Sequence, residues 1–230
     1  MATLLTPPKP LVKESLAVAL REKIVSGVIE PGEVIVEGKW ATHFGVAQGS
    51  VREALNILAS EGFVQKTHGR RARVTNFARE DIAQIYQLRG SLEGLAARLV
   101  VEQRKGFSAI EKAWDDMQQA AAAGDIKGLT DADLRFHLTL CDLPGNRFLQ
   151  EHARRLLIPL FAFVLMRVHT NQRGSKPWNN SIGLHGRILA ALRLGDPFLA
   201  EQFVVRATRD FALVAYDDWE LKSGAGPSLP

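Results

Sequence analysis

The sequence predicts a mostly α-helical protein: a small N-terminal head of short helices and one hairpin, then an all-α antiparallel helical bundle. Three observations predict it. Apolar residues recur at helical spacing over most of the chain. Strand-like stretches are confined to the neighbourhood of residues 63–74. After Asn76, breaks at Gly106, Gly124, Pro144-Gly145, Gly174 to Pro177 and Gly195-Asp196-Pro197 cut an Ala/Leu-rich chain into helix-length pieces.

Taken in order, residues 1–9 are Pro-rich and read as a disordered N-terminus. Leu16, Leu20 and Ile24 recur every fourth residue, giving a helix from Leu11 to near Gly27, and Pro31-Gly32 then turns the chain. Residues 37–44 form a short helix, Gly45 a turn, and 48–60 a second helix with Val51, Leu55 and Leu58 inward. Gly62 closes it, and Phe63-Val64 and Ala72–Val74 flank a turn at His68-Gly69, a two-stranded wing. Helix, turn, helix and basic hairpin in that order make a winged helix-turn-helix, assigned to residues 10–76, which places one helix in a DNA major groove. Helical segments at 79–105, 107–123, 125–142, 146–172, 178–194 and 197–220 build the bundle, assigned to 79–222. The Gly/Pro/Ser-rich tail 223–230 reads as disordered.

Composition sets bounds. The 230 residues are 46% hydrophobic, enough for a sizeable core, and mean hydropathy is −0.05. Net charge is +4, and residues 1–76 hold ten Lys/Arg against seven Glu and no Asp, so +3 of it lies in the head. That excess is modest; the basic run Lys66 to Arg73 is the sharper sign of a nucleic-acid partner. A single cysteine, Cys141, excludes an internal disulfide framework and reads as a buried thiol. No apolar run reaches the roughly 18 residues of a membrane span, and prolines interrupt the N-terminus where a signal peptide would lie. A cytoplasmic protein with no membrane partner is the expectation.

In the second helix, Gln48, Gly49, Ser50 and Arg52 stand clear of the apolar face at the end that meets base edges. Gln suits adenine, Arg suits guanine or phosphate, and Ser50 with the free helix N–H groups suits phosphate. Lys66, His68, Gly69, Arg70, Arg71 and Arg73 are the wing's candidates for phosphates or a minor groove. The stretches VREALNILASEGFVQKTHGRRARV and IVSGVIEPGEVIVEGKWATHFGV resemble the head of GntR-family bacterial transcription regulators. The resemblance covers residues 11–76 and implies Arg52 as a DNA contact. It departs from the family at Ala47-Gln48-Gly49-Ser50, where Ser/Thr-Arg-Thr-Pro/Thr is common.

The bundle resembles the FCD effector domain of the FadR-like subfamily at three places. These are Tyr86-Gln-Leu-Arg89-Gly-Ser-Leu-Glu93, Asp133-Leu-Arg-Phe136-His137, and the helix carrying His185. Asp133 and His137 are four apart and project from one helical face, so both can hold one metal, with His185 joining from a neighbouring helix. Oxygen and imidazole donors without thiolate suit Zn, Ni, Mn or a similar divalent ion. The resemblance implies a further His that falls on Ala207 here; Asp210, one turn later, is the nearest oxygen substitute. Arg89 and Glu93 share a helix face as a salt pair. The resemblance makes Arg89 a carboxylate clamp, with Glu93 and Arg135 as further effector candidates.

The expected function is a ligand-responsive, homodimeric transcription regulator of repressor type that binds a double-stranded DNA operator and a small carboxylate effector. The effector pocket is either one with a divalent metal as cofactor on Asp133, His137 and His185 or a metal-free one in which the histidines serve as hydrogen-bond donors. Two alternatives remain open: a DNA-binding dimer whose bundle senses nothing, and a metal-dependent hydrolase or lyase built on Asp133, His137 and His185. Ligand-induced stabilisation separates the first; a catalytic base beside the metal separates the second.

Overall fold

The computed structural model describes residues 12–67, 71–170 and 178–223. Contacts divide the chain into two compact units, residues 1–76 with 162–172, and residues 77–161 with 173–230. The disordered ends expected at 1–9 and 223–230 lie outside the described residues, except Ser223.

The first unit runs α1 (Val12–Val25), β1 (Val34–Ile35), α2 (Glu37–Phe44), α3 (Gln48–Ser60), β2 (Val64–Thr67) and β3 (Arg71–Val74). Leu16, Leu20 and Ile24 of α1 are buried, as are Val51, Leu55 and Leu58 of α3, and the two helices pack together. Burial of each such side chain contributes about 1.5–3 kcal/mol. A two-pronged ion pair from Arg21 to Glu61, with Nη2 to Oε1 at 2.6 Å and Nε to Oε2 at 2.9 Å, ties α1 to the end of α3. Gly45 ends α2 in the left-handed conformation (φ 65°), its N–H returning to the last carbonyls, so the next helix can start three residues on. The expected two-stranded wing is part of a three-stranded antiparallel sheet of order β1-β3-β2. Val34 pairs with Arg73 and Ile35 with Ala72. A two-residue strand carries no periodicity of its own, and β3 recruits it.

The second unit holds α4 (Arg79–Glu102), α5 (Ser108–Ala123), α6 (Ile126–Asp142), α8 (Trp178–Arg193), α9 (Pro197–Ser223) and α7 (Arg147–Thr170) as far as Phe161. The mostly helical architecture is the expected one, but the boundary inside α7 was not visible in the sequence. α4 packs along α9 and against α6, while α5 lies against α6 and α8. Asp125 caps α6 by accepting from Gly128 N at 2.9 Å. The buried cluster of Ala97, Ile110, Met117, Phe136, Leu140, Leu157 and Leu189 fixes the faces of α4, α6 and α8. Cys141 lies in this cluster, and burial pushes its thiol well above the ordinary value, so the thiolate is suppressed.

Candidate nucleic-acid interface and candidate metal centre

Gln48, Arg52 and Asn56 recur every fourth residue along α3, on a face about a quarter-turn from its buried stripe of Val51, Leu55 and Leu58. Gln48 and Gly49 are exposed and Ser50 is half-buried. Ala47 supplies no side-chain cap to the helix start. Nothing lies within 4 Å of a Cβ placed on Gly49, so its outer side is open. Lys66 of β2 donates to Asn56 Oδ1, and Arg71 on β3 is exposed. Arg73 donates to the Gly32 carbonyl and so is engaged within the head. His68, Gly69 and Arg70 lie outside the described residues.

One residue absent from the sequence reading organises this face. Glu37, in the first turn of α2, receives Arg52 Nε on Oε1 at 3.1 Å and on Oε2 at 3.0 Å, and Arg52 Nη2 on Oε2 at 2.7 Å. Gln48 Nε2 donates to the same Oε2 at 3.3 Å. The hydrogen bonds from Arg52, opposed only by partial burial, hold the Glu37 carboxyl below its ordinary value. The linear sequence offered only an acidic residue at a helix start, and nothing in it places position 37 beside position 52.

In the bundle, α6 contributes Asp133 and His137 and α8 contributes His185. Asp133 Oδ1 lies 3.0 Å from His137 Nε2 and 3.1 Å from His185 Nε2, and the two nitrogens are 2.9 Å apart. Phe136 meets both imidazoles edge-on, with ring centroids 5.4 and 4.7 Å away, which restrains their rotation. The His137 and His185 side chains are 4% and 5% exposed, that of Asp133 22%, so the site opens on the Asp133 side.

α4 supplies the support. Glu93 Oε2 accepts from His137 Nδ1 at 2.7 Å, leaving the His137 Nε2 lone pair facing the cluster. Glu93 Oε1 accepts from Arg89 Nε at 2.7 Å, while Arg89 Nη2 reaches His137 Nε2 at 2.5 Å. The Arg89 guanidinium also lies over the Tyr86 and Phe161 rings, 5.2 and 5.4 Å from their centroids. Burial opposes ionisation of Glu93, but Arg89 and His137 overcome it and hold its pKa down to about 2. Burial and Arg89 oppose a charged His137, but Glu93 and Asp133 outweigh them and raise its pKa above the imidazole norm. The Arg89 contact belongs to the neutral ring; a protonated Nε2 donates to Asp133 instead.

Asp133 Oδ1 is buried and, despite its two close nitrogens, accepts no well-directed hydrogen bond. Three lone-pair atoms so close repel one another unless protons or a cation sit among them, so the donor set fits a divalent ion. Viewed from about 2.1 Å away, atoms with this spacing subtend roughly 90°, suiting three sites of an octahedron better than a tetrahedron. Ala207 is buried on α9 and offers no donor, and Asp210 is exposed, 3.7 Å from Arg206. Of the expected effector residues, Arg89 and Glu93 stand against the cluster. Arg135 does not: two residues beyond Asp133, it falls on about the opposite side of α6, exposed and paired with Asp116 at 2.6 Å.

The FCD domain family matches residues 84–209, and the family "Bacterial regulatory proteins, gntR family" matches residues 12–74. The gluconate operon transcriptional repressor of Bacillus subtilis (strain 168) is 32% identical over 178 residues, 74% of this chain and 73% of that protein. The HTH-type transcriptional repressor NanR of Klebsiella aerogenes is 29% identical over 220 residues, 84% of this chain and 83% of that one. With the HTH-type transcriptional regulator YdhC of B. subtilis, identity is 29% over 144 residues, 60% of this chain and 64% of YdhC, so the chain spans less than two thirds of that relative. The solved structure of E. coli McbR/YncC superposes with a TM-score of 0.67 at 19% identity, over 92% of this chain and 100% of that one, a likeness of fold. With its head matching one family over residues 12–74 and its bundle the other over 84–209, the chain belongs to the GntR family of bacterial regulatory proteins, with an FCD domain, and is a transcription regulator, not an enzyme.

Proposed function

We propose that this regulator is a cytoplasmic homodimeric repressor that binds a double-stranded DNA operator and responds to a small carboxylate bound in its helical bundle beside a divalent metal. The observation that carries the sensing half is the convergence of Asp133 Oδ1, His137 Nε2 and His185 Nε2 next to a buried Arg89. Relatives named as transcriptional repressors support the direction of control.

On the DNA side, Gln48, Gly49, Ser50 and Arg52 would enter the major groove. Lys66 and Arg71, together with His68, Gly69 and Arg70 on sequence grounds alone, would follow flanking phosphates or a minor groove. In the bundle, Asp133, His137 and His185 would hold the metal, which when bound supplies a fixed positive charge and open coordination positions. With neutral imidazoles, Arg89, Glu93 and Asp133 leave one net negative charge in a mostly buried site. A divalent ion inverts that to one net positive charge, and a single carboxylate restores neutrality, with Arg89 as its second contact. Binding energy that differs between two arrangements of the dimer would then shift the population able to grip DNA.

The test is fluorescence anisotropy of the full-length protein on duplexes from the region upstream of its own gene. Arg52→Ala is expected to weaken specific binding by about 1–3 kcal/mol, roughly five- to 150-fold. Equal affinity of parent and variant removes the recognition-helix assignment.

A further inference from the structure

Arg52 does not extend freely from α3. Its Nε–H and one Nη2–H are both taken by Glu37, whose side chain is 11% exposed while that of Arg52 is 43% exposed. A guanidinium has five N–H donors in a rigid plane. Glu37 occupies one edge of it, which leaves the two Nη1 hydrogens and one Nη2 hydrogen: the end of the fork that matches O6 and N7 of guanine. Gln48 is tied to the same carboxylate through one amide hydrogen and keeps its carbonyl and second hydrogen, the pair that reads adenine. A favourable place for an acid in the first turn of α2 explains why a carboxylate is tolerated there. It does not explain why that carboxylate turns toward α3 and collects two of its outward residues.

We propose that Glu37 is a positioning residue for sequence specificity: it holds Arg52 and Gln48 in base-reading orientation and offsets the charge that would otherwise draw Arg52 to any phosphate. This rests on the DNA-reading role proposed above for α3. A freely swinging arginine adds affinity for all DNA through counterion release. A guanidinium clamped by a carboxylate contributes less to that non-specific attraction and enters the groove already oriented, so less freedom is lost on binding.

The two effects have opposite signs for two kinds of DNA, which makes them separable. Full-length protein selects a preferred duplex from a random-duplex library, and anisotropy then measures its affinity for that duplex and for a scrambled one across a salt series. Glu37→Gln, which removes the charge and keeps the shape, is expected to bind the selected duplex about tenfold or more weakly. It binds the scrambled duplex as tightly as the parent or tighter, with a salt slope steeper by about one phosphate contact. Uniform weakening on both duplexes, or an unchanged ratio, overturns the proposal. If Glu37→Gln melts below the assay temperature, Glu37→Asp, one methylene too short for both contacts, must show the same loss of ratio. In an Arg52→Ala, Gln48→Ala background Glu37→Gln should no longer change the ratio; an undiminished effect also overturns the proposal. A parent that selects no sequence sinks the DNA-reading role itself, an outcome distinct from a parent that selects one which Glu37→Gln reads equally well.

Discussion

Glu93 is the most committed carboxylate in the bundle. Its side chain is 1% exposed, one oxygen serves Arg89 and the other His137. Removing one member of such a buried pair strands the other, at a cost of about 3–5 kcal/mol. Glu93→Gln is therefore expected to destabilise the fold by that order and so lower the melting temperature, read by circular dichroism. Acid behaviour gives a second readout. The folded pKa of Glu93 is depressed from an ordinary 4.5 to about 2. Its contribution to stability is thus fully present above about 4.5 and is lost as pH falls toward about 2, because the unfolded chain takes up the proton first. The variant should lose that part of the acid slope; the same slope in both proteins would show that Glu93 carries no depressed pKa. At this scale the sequence was half legible. The Arg89/Glu93 spacing foretold their pair, and the Asp133/His137 spacing foretold that both side chains share one face of α6. The contact of Glu93 with His137 joins residues 44 apart and depends on how α4 meets α6.

Among elements, the α4–α9 seam is the tightest described approach of two helices at a glycine. A Cβ on Gly94 would stand 2.8 Å from Val205 Cγ2 and 3.3 Å from the Glu201 carbonyl oxygen. Val205 is β-branched and stiff, and Glu201 meets it with backbone, so neither yields cheaply. Alanine's helix preference over glycine, about 1 kcal/mol, is set against overpacking of about 1–3 kcal/mol. Gly94→Ala is expected to destabilise by about 1 kcal/mol net in urea titrations. Gly183→Ala, in α8 with nothing within 4 Å of its Cβ, is expected to stabilise by up to about 1 kcal/mol. Equal signs for the two would mean that space at the seam is not what selects glycine. Most element limits could be read beforehand because the punctuation is local: Gly45 ends α2, Gly124 ends α5 and Pro197 opens α9. β1 could not, since its two residues become a strand only by pairing with β3.

At the scale of the whole molecule, the texture of the sequence changes after Asn76, while contacts assign residues 162–172 to the first unit although α7 continues unbroken through Phe161. No rule of local spacing registers such a division, because it depends on contacts and not on helix limits. Charge, by contrast, makes a molecular prediction that needs no knowledge of the effector's identity. Protein stripped with chelator holds Arg89, Glu93 and Asp133 with one net negative charge, or none when His137 carries the proton that Glu93 and Asp133 favour, so nothing there draws a further anion and a carboxylate alone should stabilise it little. Zn, Ni or Mn alone should raise the melting temperature. A panel of small carboxylates should raise it further only in metal-loaded protein, through a stabilisation of about 2.7 kcal/mol for an acid present at a hundred times its dissociation constant. Linkage requires the converse: a bound carboxylate must tighten the metal by the same factor, measurable by competition with a chelator. Asp133→Asn and His185→Ala should each remove both responses while the DNA-binding head still melts as before. If neither metal nor acid shifts the melting curve of the parent, the reading of a bundle that senses nothing is favoured, and Ala207, which offers no donor, would be where the pocket lacks a ligand.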